Sequence, residues 1–260
     1  MDDGRASARA LITNDDGIDS PGIRVLARAA VEAGLDTVIA APSWDSSGSA
    51  ASLTAVEEDG RFLVDTRTLD DVPGVPAYAV EGAPAFIVRA GVRGAFGPPP
   101  DVVLSGINLG INTGYAVLHS GTVGAVLTAA TQRCRGMAVS LAVGDPLHWD
   151  TAGVLAQRLI PWVLDAEPGT VLNLNVPSRP LSEVRGLRRA RLSATGAVQA
   201  NVTELGKGYV QLAYTEVDEE FEPGTDAALL RDGYACFTPL VGPCEAGGVD
   251  TEAIVEEVPV

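Results

Sequence analysis

The sequence contains only three cysteines, and their number and spacing bear on the cellular compartment. Cys134, Cys236 and Cys244 are an odd set without the paired spacing of a zinc site. We therefore expect reduced thiols in a cytoplasmic protein, and a disulfide between Cys236 and Cys244 is the alternative. The sequence also lacks a Gly-x-Ser-x-Gly elbow, and no cysteine has a histidine partner by position, so covalent acyl chemistry has no support.

Basic residues are scarce, and this scarcity argues against binding to nucleic acid. Eighteen Lys and Arg face 34 Asp and Glu, which gives a formal net charge of −16. A nucleic-acid binder needs a basic face to displace counterions. The same charge repels anionic substrates at long range, so an enzyme acting on a phosphate ester would need a local positive potential, from a metal ion or a helix N-terminus.

Long hydrophobic runs are also missing, which argues against a membrane protein. No apolar stretch approaches the roughly 20 residues of a membrane span. The first ten residues, MDDGRASARA, lack the apolar core of a signal peptide. With 260 residues, 46% hydrophobic and 20% charged, the sequence predicts a soluble globular protein with one large domain, with or without an appendage.

Short β-branched runs alternate with helical patterns over the first two-thirds of the sequence. We predict strands at 8–13, 36–42, 101–106, 136–143 and 170–177, and helices at 21–34, 84–94, 120–134 and 151–165. Pro161 is expected to kink the last helix or divide it in two. The strands are apolar without clean alternation, as expected when both faces of a sheet are covered. The order strand–helix–strand predicts an α/β fold with a mostly parallel sheet.

The composition changes after about residue 186. A basic segment is followed by a strongly acidic one, with strand patterns at 208–214 and 233–240. We therefore predict a core at 8–186 and an extension of hairpins and loops at 187–260.

Two adjacent carboxylates end the first predicted strand and suggest a metal site. Loops beyond the carboxyl ends of neighbouring parallel strands can converge, and Gly17 allows the turn that Asp15 and Asp16 need in order to meet. A hard cation such as Mg²⁺, Mn²⁺ or Ca²⁺ would relieve their repulsion, with a loop serine and the amide of Asn108 as further ligands. The alternative is an Asx turn in which Asp15 or Asp16 caps the next helix.

A glycine-rich segment at 105–124 suggests a phosphate site. It carries amides, hydroxyls and the start of a helix that has no charged residue before Arg133. Such a helix N-terminus suits phosphate, although Ser120 as a simple N-cap explains part of the pattern. The segment is neither a Walker loop nor a dinucleotide fingerprint. His119 lies beside it and is a candidate acid or base, with a packing role as the alternative.

Taken in order, six segments resemble the SurE family of metal-dependent 5′-nucleotidases. They are TNDDGIDSPGI, APSWDSSGSAASLT, DVVLSGINLGINTG, LHSGTVGA, LNLNVP and GTDAALLRDGYACFTPL. The resemblance covers nearly the whole chain beyond residue 8. It implies a Rossmann-like three-layer α/β/α domain and a C-terminal extension used to assemble a homodimer or homotetramer.

The resemblance also implies a ligand set and a phosphate pocket. One divalent cation per subunit, Mg²⁺ or Mn²⁺, would be held by Asp15, Asp16, Ser47 and Asn108, with Ser46 as the weaker serine candidate. The residues expected at the substrate are Asn14, Ser105, Gly106, Asn112, Ser120, Gly121 and Thr122. Family members carry His or Tyr at the position of His119, which weakens its case as an obligatory base.

Several family positions are changed in this sequence. Leu109 stands where the family has arginine, Ala83 and Phe86 replace a hydroxyl and a carboxylate, Ala116 replaces a common aspartate, and Ala51 a frequent histidine. Two interpretations follow: a shift toward a less polar or specialised phosphate ester, or drift without a new substrate.

We therefore predict a divalent-metal-dependent phosphomonoesterase that acts on a nucleoside 5′-monophosphate or a related phosphate ester. Asp16 is expected to position or deprotonate the attacking water, and Asp15 to serve mainly as a ligand. A non-catalytic protein that binds a nucleotide or phosphorylated metabolite on the same scaffold is the alternative. A dinucleotide-dependent oxidoreductase is disfavoured because Asp-Asp, and not a glycine fingerprint, follows the first strand.

Overall fold

The computed structural model describes residues 7–195, 198–206, 209–216 and 220–244. The polar residues 1–6, residue 208 of one predicted strand and the last sixteen residues of the predicted extension lie outside this description.

Thirteen strands and five α-helices are described. The strands are β1 Arg9–Thr13, β2 Asp36–Pro42, β3 Glu57–Glu58, β4 Arg61–Phe62, β5 Val64–Arg67, β6 Ala77–Val80, β7 Val102–Leu109, β8 Arg135–Leu141, β9 Val171–Val176, β10 Leu187–Arg189, β11 Val198–Gly206, β12 Tyr209–Glu216 and β13 Ala235–Leu240. The helices are α1 Pro21–Glu32, α2 Pro84–Gly91, α3 Gly121–Thr131, α4 Trp149–Asp165 and α5 Asp226–Arg231, with 3₁₀ turns at Gly114–His119 and Leu181–Glu183.

Nine strands form one mostly parallel sheet, which confirms the predicted fold class. Their order is β10-β13-β9-β8-β7-β1-β2-β6-β5. Only the β9–β13 and β5–β6 pairs are antiparallel. The β11–β12 pair forms a separate antiparallel sheet of its own.

Helices cover both faces of this sheet and give the three layers. Successive strand residues point to opposite faces, so Ile12 packs in the core beneath α1 and α4, while Leu11 packs in the core beneath α2 and α3. Residues 10–13 of β1 are all buried, as expected for a strand covered on both sides.

The direction of winding reverses between β1 and β7. From β1 the chain runs through α1 to β2, whereas from β7 it runs through α3 to β8 on the other side. Helix α1 packs in one core and α3 in the other. Loops leaving β1 and β7 therefore flank the crevice where open α/β sheets bind their ligands.

Two features of the fold differ from expectation. Helix α4 is one element with Pro161 inside it, so of the two outcomes expected at this proline the division is wrong, and the kink stays a prediction. Strand β13 pairs with β9 and β10 within the main sheet, although it belongs to the segment predicted as an extension. The core boundary at residue 186 stays a prediction.

The structure also bears on the cysteines and on the expected absence of a membrane span. Cys134, Cys236 and Cys244 are all free thiols, the first two buried and the third exposed. The alternative of a disulfide between Cys236 and Cys244 is therefore wrong. Among the described residues, no helix combines the length and the apolar character that a lipid bilayer crossing requires.

Candidate metal and phosphate site

The turn after β1 is held by Asn14 and Gly17. The Asn14 side-chain amide donates to the Gly17 carbonyl at 2.9 Å and to Ser20 Oγ at 2.7 Å. Gly17 has a φ of +93°, and a Cβ at this position would lie 3.1 Å from the Trp44 carbonyl oxygen. Helix α1 has Ser20 at its N-cap, without a side-chain cap bond and without an acidic residue in its first turn. The interpretation of Asp15 or Asp16 as a cap for this helix is therefore wrong.

Asp15 lies at the centre of the crevice and is only 4% exposed. Burial raises the pKa of its carboxyl group, and a hydrogen bond from Thr122 Oγ1 to Oδ1, 2.5 Å long, acts in the opposite direction. This bond joins the β1 turn to the first turn of α3. The Asp15 carbonyl oxygen in turn accepts from the N–H of Ser46 at 2.7 Å and from its hydroxyl at 3.1 Å, which joins the loop after β2 to the same turn.

Asp16 is less buried than Asp15 and faces the loop that ends β7. The Leu109 N–H donates to Asp16 Oδ2 at 3.3 Å. Burial, followed by the charge of Asp15, raises the pKa of Asp16 to about 6. At close range, the charge of one carboxylate disfavours ionisation of the other. A cation bound beside both would stabilise their ionised forms.

Asn108 offers its amide oxygen on the other side of the crevice. Its Nδ2 donates to the Gly110 carbonyl at 2.7 Å, and this bond leaves Oδ1 available as a ligand. The β7–β8 pairing shifts register between Ser105 and Asn108, so the strand bends at Gly106. Ser105 Oγ is buried and finds no hydrogen-bond partner among the described residues.

Ser47 makes a contact that the sequence did not indicate. Its hydroxyl donates to Asp45 Oδ1 at 2.6 Å, and its N–H donates to the same oxygen at 2.9 Å. These bonds lower the pKa of Asp45, whose charge contributes to the raised pKa values of Asp15 and Asp16. A hydroxyl that donates to a carboxylate keeps oxygen lone pairs for a cation.

The start of α3 forms the other half of the site. Ser120 is its N-cap, and Ser120 Oγ accepts from the Val123 N–H at 3.1 Å, which confirms the N-cap interpretation. The first turn carries no acidic residue. A Cβ on Gly121 would lie 2.7 Å from both Asp15 Oδ2 and Ser49 Oγ, so the helix backbone directly borders the carboxylate. The exposed His119 lies at the end of the preceding 3₁₀ turn.

Asn112 is held in a buried amide network under the glycine-rich loop. Its Nδ2 donates to Ser140 Oγ, and its N–H donates to Asn175 Oδ1. Its carbonyl accepts from the side-chain amides of Asn173 and Asn175, each at 2.8 Å. This network fixes the loop position, and a substrate contact of Asn112 stays a prediction.

Three residues that the sequence did not single out border the site. Asp45 binds Ser47, as described. Ser49 Oγ is buried without a hydrogen-bond partner among the described residues, next to Gly121 and Asp15. Asp226 is fully buried and accepts from the N–H groups of Gly114, Ser193 and Ala227, which fastens the C-terminal segment to the loop before α3. All three residues lie within segments that carry the family resemblance, but no sequence pattern gave any of them a role.

The described oxygen donors fit one hard cation. Within the described residues, no group of three or more His, Cys, Asp and Glu side chains is placed to hold a metal ion. A cation here would therefore bind the two carboxylates together with neutral oxygens, which Mg²⁺ and Mn²⁺ accept. The buried, unpartnered Asn14 Oδ1 and the available oxygen of Asn108 supply such neutral donors.

Two pockets lie near this edge of the sheet. One, of about 360 Å³, is lined by residues that include Trp44, Ser47, Ser49 and Thr54. A larger one, of about 590 Å³, lies between the starts of α1 and α4 and contains none of the predicted site residues. Of these two pockets, only the smaller one is lined by a residue of the predicted ligand set, Ser47.

Comparison with known proteins places the chain among relatives of one kind. A family model described as Survival protein SurE matches residues 10–199. The 5′-nucleotidase SurE of Pseudomonas entomophila is 36% identical over 237 residues, which cover 89% of this chain and 91% of the relative. The 5′-nucleotidase SurE of Alkalilimnicola ehrlichii is 36% identical over 236 residues, 88% of each chain. A crystal structure of the SurE protein from Aquifex aeolicus superposes with a TM-score of 0.75 at 28% identity, covering 96% of this chain and 98% of that one.

Proposed function

Because the chain belongs to the SurE family and is a phosphoric monoester hydrolase, we propose that it cleaves nucleoside 5′-monophosphates or related phosphate esters with one bound divalent cation. The observation that supports this most is the hydrogen bond between Thr122 and Asp15. It joins an acidic turn, suited to a cation, to a helix N-terminus, suited to phosphate, at the point where the sheet reverses its winding.

The proposed cation ligands are Asp15, Asp16, Asn108 and Ser47. When bound, Mg²⁺ or Mn²⁺ supplies a Lewis acid for the charge developing on the phosphoryl group and lowers the pKa of a coordinated water. Thr122 Oγ1 holds the Asp15 carboxylate in one orientation, and the Asp45 carboxylate orients the Ser47 hydroxyl. Since each ligand is anchored by a second group, the set is preorganised.

The remaining roles belong to Asp16 and to the start of α3. We assign to Asp16 the acceptance of a proton from the attacking water, because it is more exposed than Asp15. The N–H groups of Gly121 and Thr122 lie at a helix N-terminus and bind the phosphoryl oxygens. Asn14, Ser105 and Gly106 shape the floor beneath them.

We further propose a homodimer or homotetramer assembled through residues 187–260, and a cytoplasmic location. The assembly proposal rests on the separate β11–β12 pair, which hydrogen-bonds with no other strand in the described part of the chain.

The proposed metal dependence is tested with purified protein and p-nitrophenyl phosphate. After treatment with EDTA we expect residual turnover of at most a few per cent of the metal-loaded rate, with recovery on addition of Mn²⁺ or Mg²⁺ but not of K⁺. The reason is that burial, and for Asp16 also the charge of Asp15, raises the pKa values of these two carboxyl groups, so a bound cation would stabilise their ionised forms. Undiminished turnover after complete chelation, verified by elemental analysis, would contradict the proposal.

The metal-free protein is expected to lose stability as the pH rises from about 4 to about 6. The folded-state pKa of Asp16 is about 6, against 3.8 in a model peptide, so between these values the native state binds more protons than the unfolded state. The free energy of unfolding then falls with rising pH, and the penalty is complete above about pH 6. Urea unfolding in EDTA should show Asp16→Asn gaining stability over the wild type at pH 7.5 and losing that advantage toward pH 5.

Asp19→Asn is the matched control for this pH dependence, because Asp19 is an exposed carboxylate three residues away. Its unfolding profile should run parallel to that of the wild type. If Asp16→Asn also ran parallel, burial of the Asp16 charge would not be the cause.

A further inference from the structure

We propose that the pocket beside Trp44 binds the nucleoside part of a nucleoside monophosphate, with the base against the indole ring and the sugar against the serine and threonine hydroxyls. This inference rests on the proposed function and adds to it the place where the nucleoside binds and the residue that its base contacts.

The pocket shares a wall with the phosphate site. It has a volume of about 360 Å³, within the range of small-molecule sites, and Ser47 and Ser49 line it. Ser47 is a proposed cation ligand. Ser49 Oγ and Asp15 Oδ2 both lie 2.7 Å from the position of a Cβ on Gly121, so the two oxygens are neighbours. A phosphate bound at Gly121 therefore has its ester oxygen within reach of this pocket.

The lining of the pocket is uncharged and matches a nucleoside. Trp44 is 39% exposed and offers a flat apolar face. Ser52 Oγ and Thr54 Oγ1, which also line the pocket, lie 2.7 Å apart, and the buried Ser49 hydroxyl has no partner among the described residues. A base can stack on the indole while the sugar hydroxyls bond to these oxygens. A second phosphate would meet no cationic side chain in this lining.

The backbone of the loop that carries Trp44 is fixed before any ligand binds. This loop is fixed to the catalytic turn, because Ser46 donates twice to the Asp15 carbonyl. The Trp44 carbonyl packs against Gly17 in the same turn. Ser43 anchors the start of the loop by donating to Glu81 Oε1 at 2.7 Å. A preorganised wall costs little conformational entropy on binding.

An exposed apolar group on the other side of the phosphate site is the competing location. Tyr115 is 66% exposed on the 3₁₀ turn before α3, and Leu109, which stands where the family has arginine, is 44% exposed on β7. Tyr115 is the residue there that offers a stacking face, so its variant separates the two locations.

The test compares two substrates in four variants. With Mn²⁺ present, kcat/KM is measured for adenosine 5′-monophosphate and for glycerol 2-phosphate, which has no base. We expect Trp44→Leu to lower the ratio of the two values about tenfold, mainly through KM for the nucleotide, because base stacking on an aromatic ring is lost. Trp44→Phe should keep most of the ratio. Trp162→Leu, an exposed tryptophan of α4, and Tyr115→Leu should keep all of it.

A second readout needs no turnover. Adenosine without metal should quench the tryptophan fluorescence of the wild type and of Trp162→Leu, and should quench Trp44→Leu no longer. An unchanged ratio in Trp44→Leu, or a selective loss in Tyr115→Leu, would overturn the proposal. If the wild type turned over neither substrate, the proposed function would fail instead, and the fluorescence result alone would decide whether the pocket binds a nucleoside.

Discussion

Asp15→Asn should lower kcat/KM for a phosphate monoester by about 100-fold or more, since loss of a residue that only supports a metal ligand already costs about 10- to 100-fold. The substitution removes one negative charge from a group that is 4% exposed and central to the proposed cation site. It keeps the shape of the side chain, and an amide oxygen can still accept from Thr122 Oγ1, so the fold should survive.

Two measurements make this result specific. Manganese should raise the thermal midpoint of the wild type and of Asp19→Asn clearly, and that of Asp15→Asn very little. Full activity of Asp15→Asn, or an undiminished stabilisation by manganese, would reject Asp15 as a ligand. If Asp16→Asn lost activity but kept the stabilisation, Asp16 would act on the water and not on the cation.

Gly106→Ala should destabilise the fold by about 3 kcal/mol and abolish metal-induced stabilisation, since backbone strain and overpacking add at this position. A Cβ at Gly106 would lie 2.2 Å from the Val139 carbonyl oxygen, and the φ of +128° is one that side chains rarely adopt. The obstacle is backbone of the adjacent strand β8, which cannot move aside without breaking the sheet. The same Cβ would lie 3.1 Å from the Asn108 N, so the proposed ligand would shift as well.

Gly34→Ala is the control that separates strain from crowding. Gly34 also has a positive φ, +85°, but a Cβ there meets nothing within 4 Å. We expect it to cost only about 1 kcal/mol, the price of a left-handed conformation. Urea unfolding measures both variants. Equal costs would mean that β7 can move away from β8, contrary to the structure.

The parallel core and the acidic turn could be predicted from the sequence because both are encoded locally. Buried strands covered on two faces read as continuous apolar runs, as in residues 8–13 and 36–42. Gly17 immediately after Asp15 and Asp16 marked a turn at the end of such a run. Sequence order then placed the loops after β1 and β7 at one edge, where the structure shows Leu109 N–H bonded to Asp16.

Among the features that the sequence did not predict are two short strands and one pairing between distant segments of the chain. Strands β5 and β6 have four residues each, which is too few to show an alternation of apolar and polar residues. Strand β5 is also exposed throughout, so it lacks a buried face. Strand β13 enters the main sheet through pairing with β9, more than sixty residues earlier, which no local pattern encodes. Of the two outcomes expected at Pro161, the division of the helix is wrong because α4 packs along the sheet, where Ile160 and Val163 are buried on either side of the proline.

Local sequence patterns also did not predict the hydrogen bonds that shape the site. Asp45 is an ordinary loop carboxylate in the sequence, and only the folded loop turns the Ser47 hydroxyl toward it. Asp226 binds the Gly114 N–H across 112 residues of sequence. Ser49 lies beside Asp15 because Gly121 leaves room there for the Ser49 hydroxyl, and no local sequence pattern predicts this contact.

The location of the cation tests the whole account most directly. Crystals grown with Mn²⁺ and measured near the manganese absorption edge should show one strong anomalous peak per subunit, at about 2.1–2.4 Å from carboxylate oxygens of Asp15 and Asp16 and from Asn108 Oδ1. A fully occupied peak elsewhere, with these three oxygens bonded only to protein or water at a manganese concentration that supports turnover, would contradict the proposed site.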